Sequence, residues 1–192
     1  TLSLRRTWLS IILFFVYTGT EVSVGQWIFT VLTKSRMLSD DIAGFWTTAY
    51  WASLTVGRIV FGFIMFKQSV HKVLTGCLVA VIAGTCLFAS DLSQLVVLAG
   101  IIIIGLALAP VFPSLIAMTP ARIGVSHAAN AVGYQISAAM IGGAILPGFA
   151  GIMINAFGIE VISLIHILEA VTLLLLYLAI ARYYPASKEK AQ

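Results

Sequence analysis

The chain has 192 residues, of which 60% are hydrophobic and only 9% charged. That composition describes a polypeptide whose natural solvent is lipid, and it excludes an ordinary soluble domain. The net charge of +4 is spread over membrane-flanking positions and gives no reason to expect nucleic acid as a partner. A helix needs about 20 apolar residues to cross a roughly 30 Å hydrocarbon slab, and runs of that length recur along the whole chain. Six spans are predicted, at 8–31, 42–66, 73–90, 95–118, 129–157 and 159–183. The connectors TKSRMLSDD, KQSVHK, DLS, TPARIGVSHA and the tight Phe157-Gly158-Ile159 are short and rich in turn or polar residues, so no soluble domain fits between spans. An even number of spans puts both termini on one side. Lys and Arg mark the cytoplasmic side. That side then holds Arg5, Arg6, Lys67, Lys72, Arg122, Arg182, Lys188 and Lys190, against Lys34 and Arg36 opposite. The expectation is an integral protein of the plasma (inner) membrane with both termini cytoplasmic. The opening TLSLRRTW has no initiator Met and no signal-peptide pattern, as expected of a fragment.

The first span carries Glu21 near its middle, inside FFVYTGTEVSVGQWIF. An ionised carboxylate in lipid costs several kcal/mol unless a partner, a proton or water compensates, so Glu21 must face protein or a wet cavity. Leaving water favours the neutral carboxyl, which suits a proton-coupling site. Thr18, Glu21 and Gly25 share one helix face. The plainer alternative is a structural acid hydrogen-bonded to a neighbouring helix. Gln26 and Trp27 follow, and an aromatic ring beside an amide and an acid is a common way to hold a sugar. Both are candidates for solute binding with Glu21, although Trp27 also suits the interfacial aromatic belt. Trp46, Tyr50 and Trp51 at the start of the second span are read as belt.

Arg58 lies about 12 Å of helical rise from the cytoplasmic end of its span. It can snorkel to the interface. Otherwise it faces an opposing half, or the run Asn130, Tyr134 and Gln135, as part of a cytoplasmic gate with Asn130. Gln135 is also a solute-binding candidate. Cys77 and Cys86 are nine residues apart in one span, too far to pair, and read as packing residues. Pro110 and Pro113 should kink the fourth span and free the carbonyls of Leu106 and Ala109. Pro147 should bend the fifth, where Ala138 with Gly142 and Ala139 with Gly143 provide small surfaces for close helix approach. His166 and Glu169 form an i, i+3 pair in the sixth span. One His and one Glu are too few to fix a metal, so a polar pair facing the bundle is expected, with a proton relay to Glu21 as the sharper alternative. No phosphate loop, H-E-x-x-H or G-x-S-x-G occurs, so ATP-driven transport within this chain is excluded, no enzyme is expected, and no cofactor is implied.

An offset of 86 residues lays Gly57-Arg58-Ile59-Val60-Phe61-Gly62-Phe63 on Gly143-Ala144-Ile145-Leu146-Pro147-Gly148-Phe149, and Gly19 on Gly105. Three spans are an odd number, so two such copies run in opposite directions. The expected fold is therefore an all-α membrane protein built as a 3+3 inverted repeat. The stretch TVGRIVFGFIMFKQSVHK resembles the G-R-x-x-x-G segment and basic loop of the major facilitator superfamily, with Phe66 and Lys67 where that family often has Asp-Arg. GLALAPVFPSLIA and NAVGYQISAAMIGGAILPGFAG resemble its tenth and eleventh helices. With YTGTEVSVGQW, the chain looks similar to the fucose permease-like sugar:proton symporters. The resemblance implies the C-terminal six-helix half of a twelve-helix secondary active transporter. It would move a small polar solute, such as a sugar, with protons by alternating access, its partners being solute, protons, lipid and a missing N-terminal half. The first and fourth spans would line the cavity, the second and fifth would meet the other half, and the third and sixth would lie outside. A drug:proton antiporter of the same superfamily and a non-transporting membrane subunit are the alternatives.

Overall fold

In lipid every backbone N–H and C=O must be satisfied internally, and long runs of Leu, Ile, Val, Ala and Phe do so by coiling within each segment. The computed structural model describes residues 1–65 and 68–183. Among them every regular element is a helix: α1 (Arg5–Lys34), α2 (Asp40–Met65), α3 (Val70–Ala89), α4 (Gln94–Leu108), α5 (Val111–Ile123), α6 (Val125–Phe157) and α7 (Val161–Tyr183). By length and apolar content they make six membrane spans, with α4 and α5 together forming the fourth. The expected basic turn at Phe66 and Lys67, and the tail with Lys188 and Lys190, lie outside the described residues.

The helix ends explain where the spans stop. Asp40 and Asp41 occupy the first turn of α2, where the helix dipole favours acids. The Ser93 hydroxyl caps α4 by accepting the Val96 N–H. Gly124 (φ 105°) and Gly158 (φ 88°) turn the chain on either side of α6, in a region that side chains with a Cβ disfavour. Gly124 also corrects an expectation. TPARIGVSHA, read as a connector, is helical on both sides of it, with Pro120 inside α5 and α6 starting at Val125. One glycine at positive φ reverses the chain, so no long polar loop is required.

The fourth span breaks at Ala109–Pro110, because Pro110 has no N–H to continue α4. Pro113 then falls in the first turn of α5, where a missing N–H is harmless. It starts a helix instead of kinking one, contrary to the expectation. Helix α6 runs through Pro147 without interruption.

Packing follows the inverted repeat. Helix α1 packs most extensively against α6 and also meets α7, α2 and α5, while α4 packs against α3 and α2. Exchanging α1 with α4/α5, α2 with α6 and α3 with α7 maps these contacts onto one another. The glycines show why. Apolar helices in lipid gain nothing from burying apolar surface on each other, so small residues that let backbones approach decide where they cross. A Cβ on Gly19 of α1 would lie 3.0 Å from the Gly142 carbonyl oxygen of α6, and one on Gly142 would overlap the Phe15 carbonyl. At the equivalent crossing, a Cβ on Gly57 of α2 would lie 3.0 Å from the Leu106 carbonyl oxygen, and one on Gly105 would lie 2.8 Å from that of Tyr50.

Candidate functional site

Glu21 lies about 24 Å along a helix about 45 Å long, in the middle third of α1. Arg58 lies on the antiparallel α2. Side chains tilt toward the N-terminus of their own helix, so on antiparallel helices Glu21 and Arg58 lean toward each other. Their ion pair, Arg58 Nη2 to Glu21 Oε1, measures 3.1 Å. Sequence reading placed them at different depths, one in the solute site and one in a gate, and the structure brings them together. The pair is lopsided: the Glu21 side chain is 10% exposed and that of Arg58 53%. A carboxylate is held in the interior by a cation that still reaches the open side of the bundle.

Two tyrosines support this arrangement. The Tyr50 hydroxyl donates to the Glu21 backbone carbonyl at 2.8 Å, tying α2 to α1 at the level of the acid. Tyr50 is fully buried, which corrects its reading as an interfacial residue: it lies on the face of α2 that packs on α1. The Tyr17 hydroxyl, one turn before Glu21 on the same helix face, donates to the Leu108 carbonyl at 3.1 Å. Leu108 is the last residue of α4, so α1 holds the broken fourth span at its break. The expected freed carbonyls were those of Leu106 and Ala109. That of Leu106 lies against Gly57 of α2. Tyr17 was overlooked, although its i, i−4 spacing from Glu21 placed it on the same face.

The remaining candidates spread out. Gln26 is exposed. The Trp27 indole N–H donates to the Pro147 carbonyl of α6 at 3.2 Å, and Trp27 is half-buried against Gly151. The Trp51 indole, partly exposed, fills the space that a Cβ on Gly25 would need. Gln135, a solute-binding candidate, is fully buried. It donates to the Ser10 hydroxyl at 2.5 Å and accepts from the Thr119 hydroxyl at 3.1 Å. Ser10 is eleven residues from Glu21, about 16 Å along α1, so Gln135 ties α1, α5 and α6 near their basic end. Asn130 is exposed in the second turn of α6, apart from Arg58.

Exposed residues, small or polar except for Trp51, also run along α2, as Thr48, Trp51, Thr55, Arg58 and Gly62. At the 86-residue offset α6 carries Tyr134, Ser137, Ile141, Ala144 and Gly148, likewise exposed. His166 and Glu169 point into the bundle from α7. They do not bond each other; His166 Nε2 lies 3.3 Å from the Ser23 hydroxyl of α1. Among the described residues no group of three or more His, Cys, Asp or Glu side chains gathers as metal ligands do.

Residues 9–192 match the profile of the Major Facilitator Superfamily. The chain is similar to "Bypass of stop codon protein 6" of Saccharomyces cerevisiae, 28% identical over 79% of this chain and 32% of that protein. It is also similar to the glucose/mannose transporter GlcP of Bacillus subtilis, 26% identical over 73% of this chain and 34% of that protein. The glucose/galactose transporter of Brucella abortus is 29% identical over 80% of this chain and 37% of that protein. The chain thus spans about a third of the length of the curated relatives it matches.

Proposed function

The chain belongs to the Major Facilitator Superfamily, and from that premise we propose that it forms the C-terminal half of a secondary transporter for a hexose or similar small polar solute. Transport is coupled to protons and proceeds by alternating access. The sugar class rests on the similarity to proteins named as glucose/mannose and glucose/galactose transporters.

The observation that carries the mechanism is the intramembrane Glu21–Arg58 pair, closed at one end and open at the other. A proton on Glu21 removes the charge that holds Arg58. The guanidinium, already half exposed, is then free to meet a solute hydroxyl or the opposing half. A neutral carboxyl also moves between inward- and outward-open states at lower cost than an ionised one. Gln26 and Trp27, on the outward side of Glu21 along α1, extend the solute site. The α2 and α6 stripes face the missing N-terminal half. Asn130 and Gln135 belong to the basic end, where Gln135 acts as a tie and Asn130 as part of the gate.

In this reading the basic end is cytoplasmic and the membrane is the plasma (inner) membrane. The described residues there include Arg5, Arg6, Lys72, Arg122 and Arg182, whereas Asp40, Asp41, Asp91 and Glu160 lie at the other end with Lys34 and Arg36. The test is hexose uptake into proteoliposomes holding the full-length transporter. An inward proton gradient should drive accumulation, with alkalinisation of the medium. Acidification on solute addition would mean antiport, and no flux of any hexose would contradict the sugar assignment.

A further inference from the structure

A second carboxyl lies in the same interior and has no counter-charge. Glu169 is 9% exposed, and its buried Oε2 has no hydrogen-bond partner. One turn away His166 is fully buried, with Nε2 on the Ser23 hydroxyl and Nδ1 unpartnered. The groups that face them from the packed helices are few. Helix α1 offers Ser23, two residues beyond the paired Glu21. Helix α2 carries Tyr50, whose hydroxyl is spent on the Glu21 backbone carbonyl, and Arg58, already held by Glu21. From α3, Phe88 packs on the imidazole, and Thr85, three residues before Phe88, donates to its own helix. Helix α4 has no titratable side chain, and α6 has none between Ile136 and Phe157.

An ionised carboxylate left there would cost several kcal/mol, and buried polar atoms without partners call for an explanation. The compensating charge must be a small cation. One carboxyl, one imidazole and one hydroxyl are too few hard ligands for a sodium ion, which leaves the proton. We propose that Glu169 is a second proton-binding carboxyl, on the outer-layer helix α7, buried in the same bundle as Glu21. One proton from solvent forms one O–H bond on the Glu169 carboxylate, and no other bond changes. Proton binding by Glu169 does not depend on the transport reading above.

The experiment is infrared difference spectroscopy of the reconstituted full-length protein, following the carboxylic-acid C=O stretch at neutral pH. A protonated-carboxyl band is expected that shifts on exchange into deuterated water, disappears in Glu169→Gln and remains in Glu21→Gln. Glu169→Asp should move the band without deleting it, which guards against loss of fold in the Gln variant. A band indifferent to Glu169→Gln, or one abolished by sodium at constant pH, would overturn the proposal. Because the signal requires no transport, failure of the sugar assignment leaves this test intact.

Discussion

At the 86-residue offset Glu21 stands where the second repeat has Ala107, and Arg58 where it has Ala144. Tyr17 and Tyr50 correspond to Ile103 and Ile136, and Ser23 to Ala109. The glycines behave differently: Gly19 keeps its counterpart Gly105 and Gly57 keeps Gly143, and a Cβ on Gly19, Gly57 or Gly105 would crowd the facing helix. Backbone approach is needed twice, because each repeat must pack without help from apolar burial. An intramembrane charge is expensive, and this pair is not duplicated at the equivalent positions of the second repeat. Symmetry therefore belongs to the scaffold, and the chemistry breaks it: the first repeat carries the ion pair, while the second carries the helix break that Tyr17 reaches across to hold.

The largest expected effect comes from breaking the shared crossings. Gly142→Val should cost about 3 kcal/mol or more, because the new side chain meets the Phe15 backbone rather than a movable side chain. Gly105→Val should behave alike against the Tyr50 carbonyl. Gly148→Ala, in open space on the same helix as Gly142, should stay within about 0.5 kcal/mol. Thermal inactivation in detergent would rank the three, and equal midpoints would remove the crossing argument.

A smaller effect comes from dividing the ion pair. Arg58→Ala leaves Glu21 buried without a partner and should destabilise by about 1–3 kcal/mol, below the usual figure for a fully buried pair because the guanidinium is half in solvent. Adding Glu21→Ala should restore part of that loss, and a double-mutant cycle measures how much. A coupling energy of zero would mean that the two side chains merely lie near each other. Smaller still, Tyr50→Phe should cost about 1 kcal/mol for one hydrogen bond. Tyr17→Phe should cost a similar amount and also speed amide hydrogen exchange around Leu108 to Val111. Unchanged exchange there would show that the break does not depend on α1.

The sequence made the scaffold legible because its signals are local. Six apolar runs, Gly158 at its tight turn, and Gly19, Gly57, Gly105 and Gly143 at one offset all report on single segments or on a regular spacing. The site was harder to read. Glu21 was conspicuous as a charge in an apolar run, and Arg58 for the same reason, but their contact depends on the opposite tilt of side chains on antiparallel helices. Tyr50 looked like an interfacial aromatic because its neighbours Trp46 and Trp51 are also aromatic, and only the rotation of α2 turns it inward. Pro113 looked like a kink because its position counted from the break, not from the span, decides its role. Gln135 shows the same limit, since an amide in a polar run reads as a ligand until Ser10 and Thr119 are found on either side of it.

The central claim is that the Glu21 proton couples solute movement to the gradient, and Glu21→Gln tests it most directly. The variant keeps the size and much of the hydrogen bonding of the acid but cannot ionise. In proteoliposomes it should still exchange labelled for unlabelled hexose, yet fail to concentrate hexose under an inward proton gradient, at every pH tried. Accumulation by Glu21→Gln to the parental level with unchanged pH dependence would contradict the account and make the carboxylate a structural partner of Arg58.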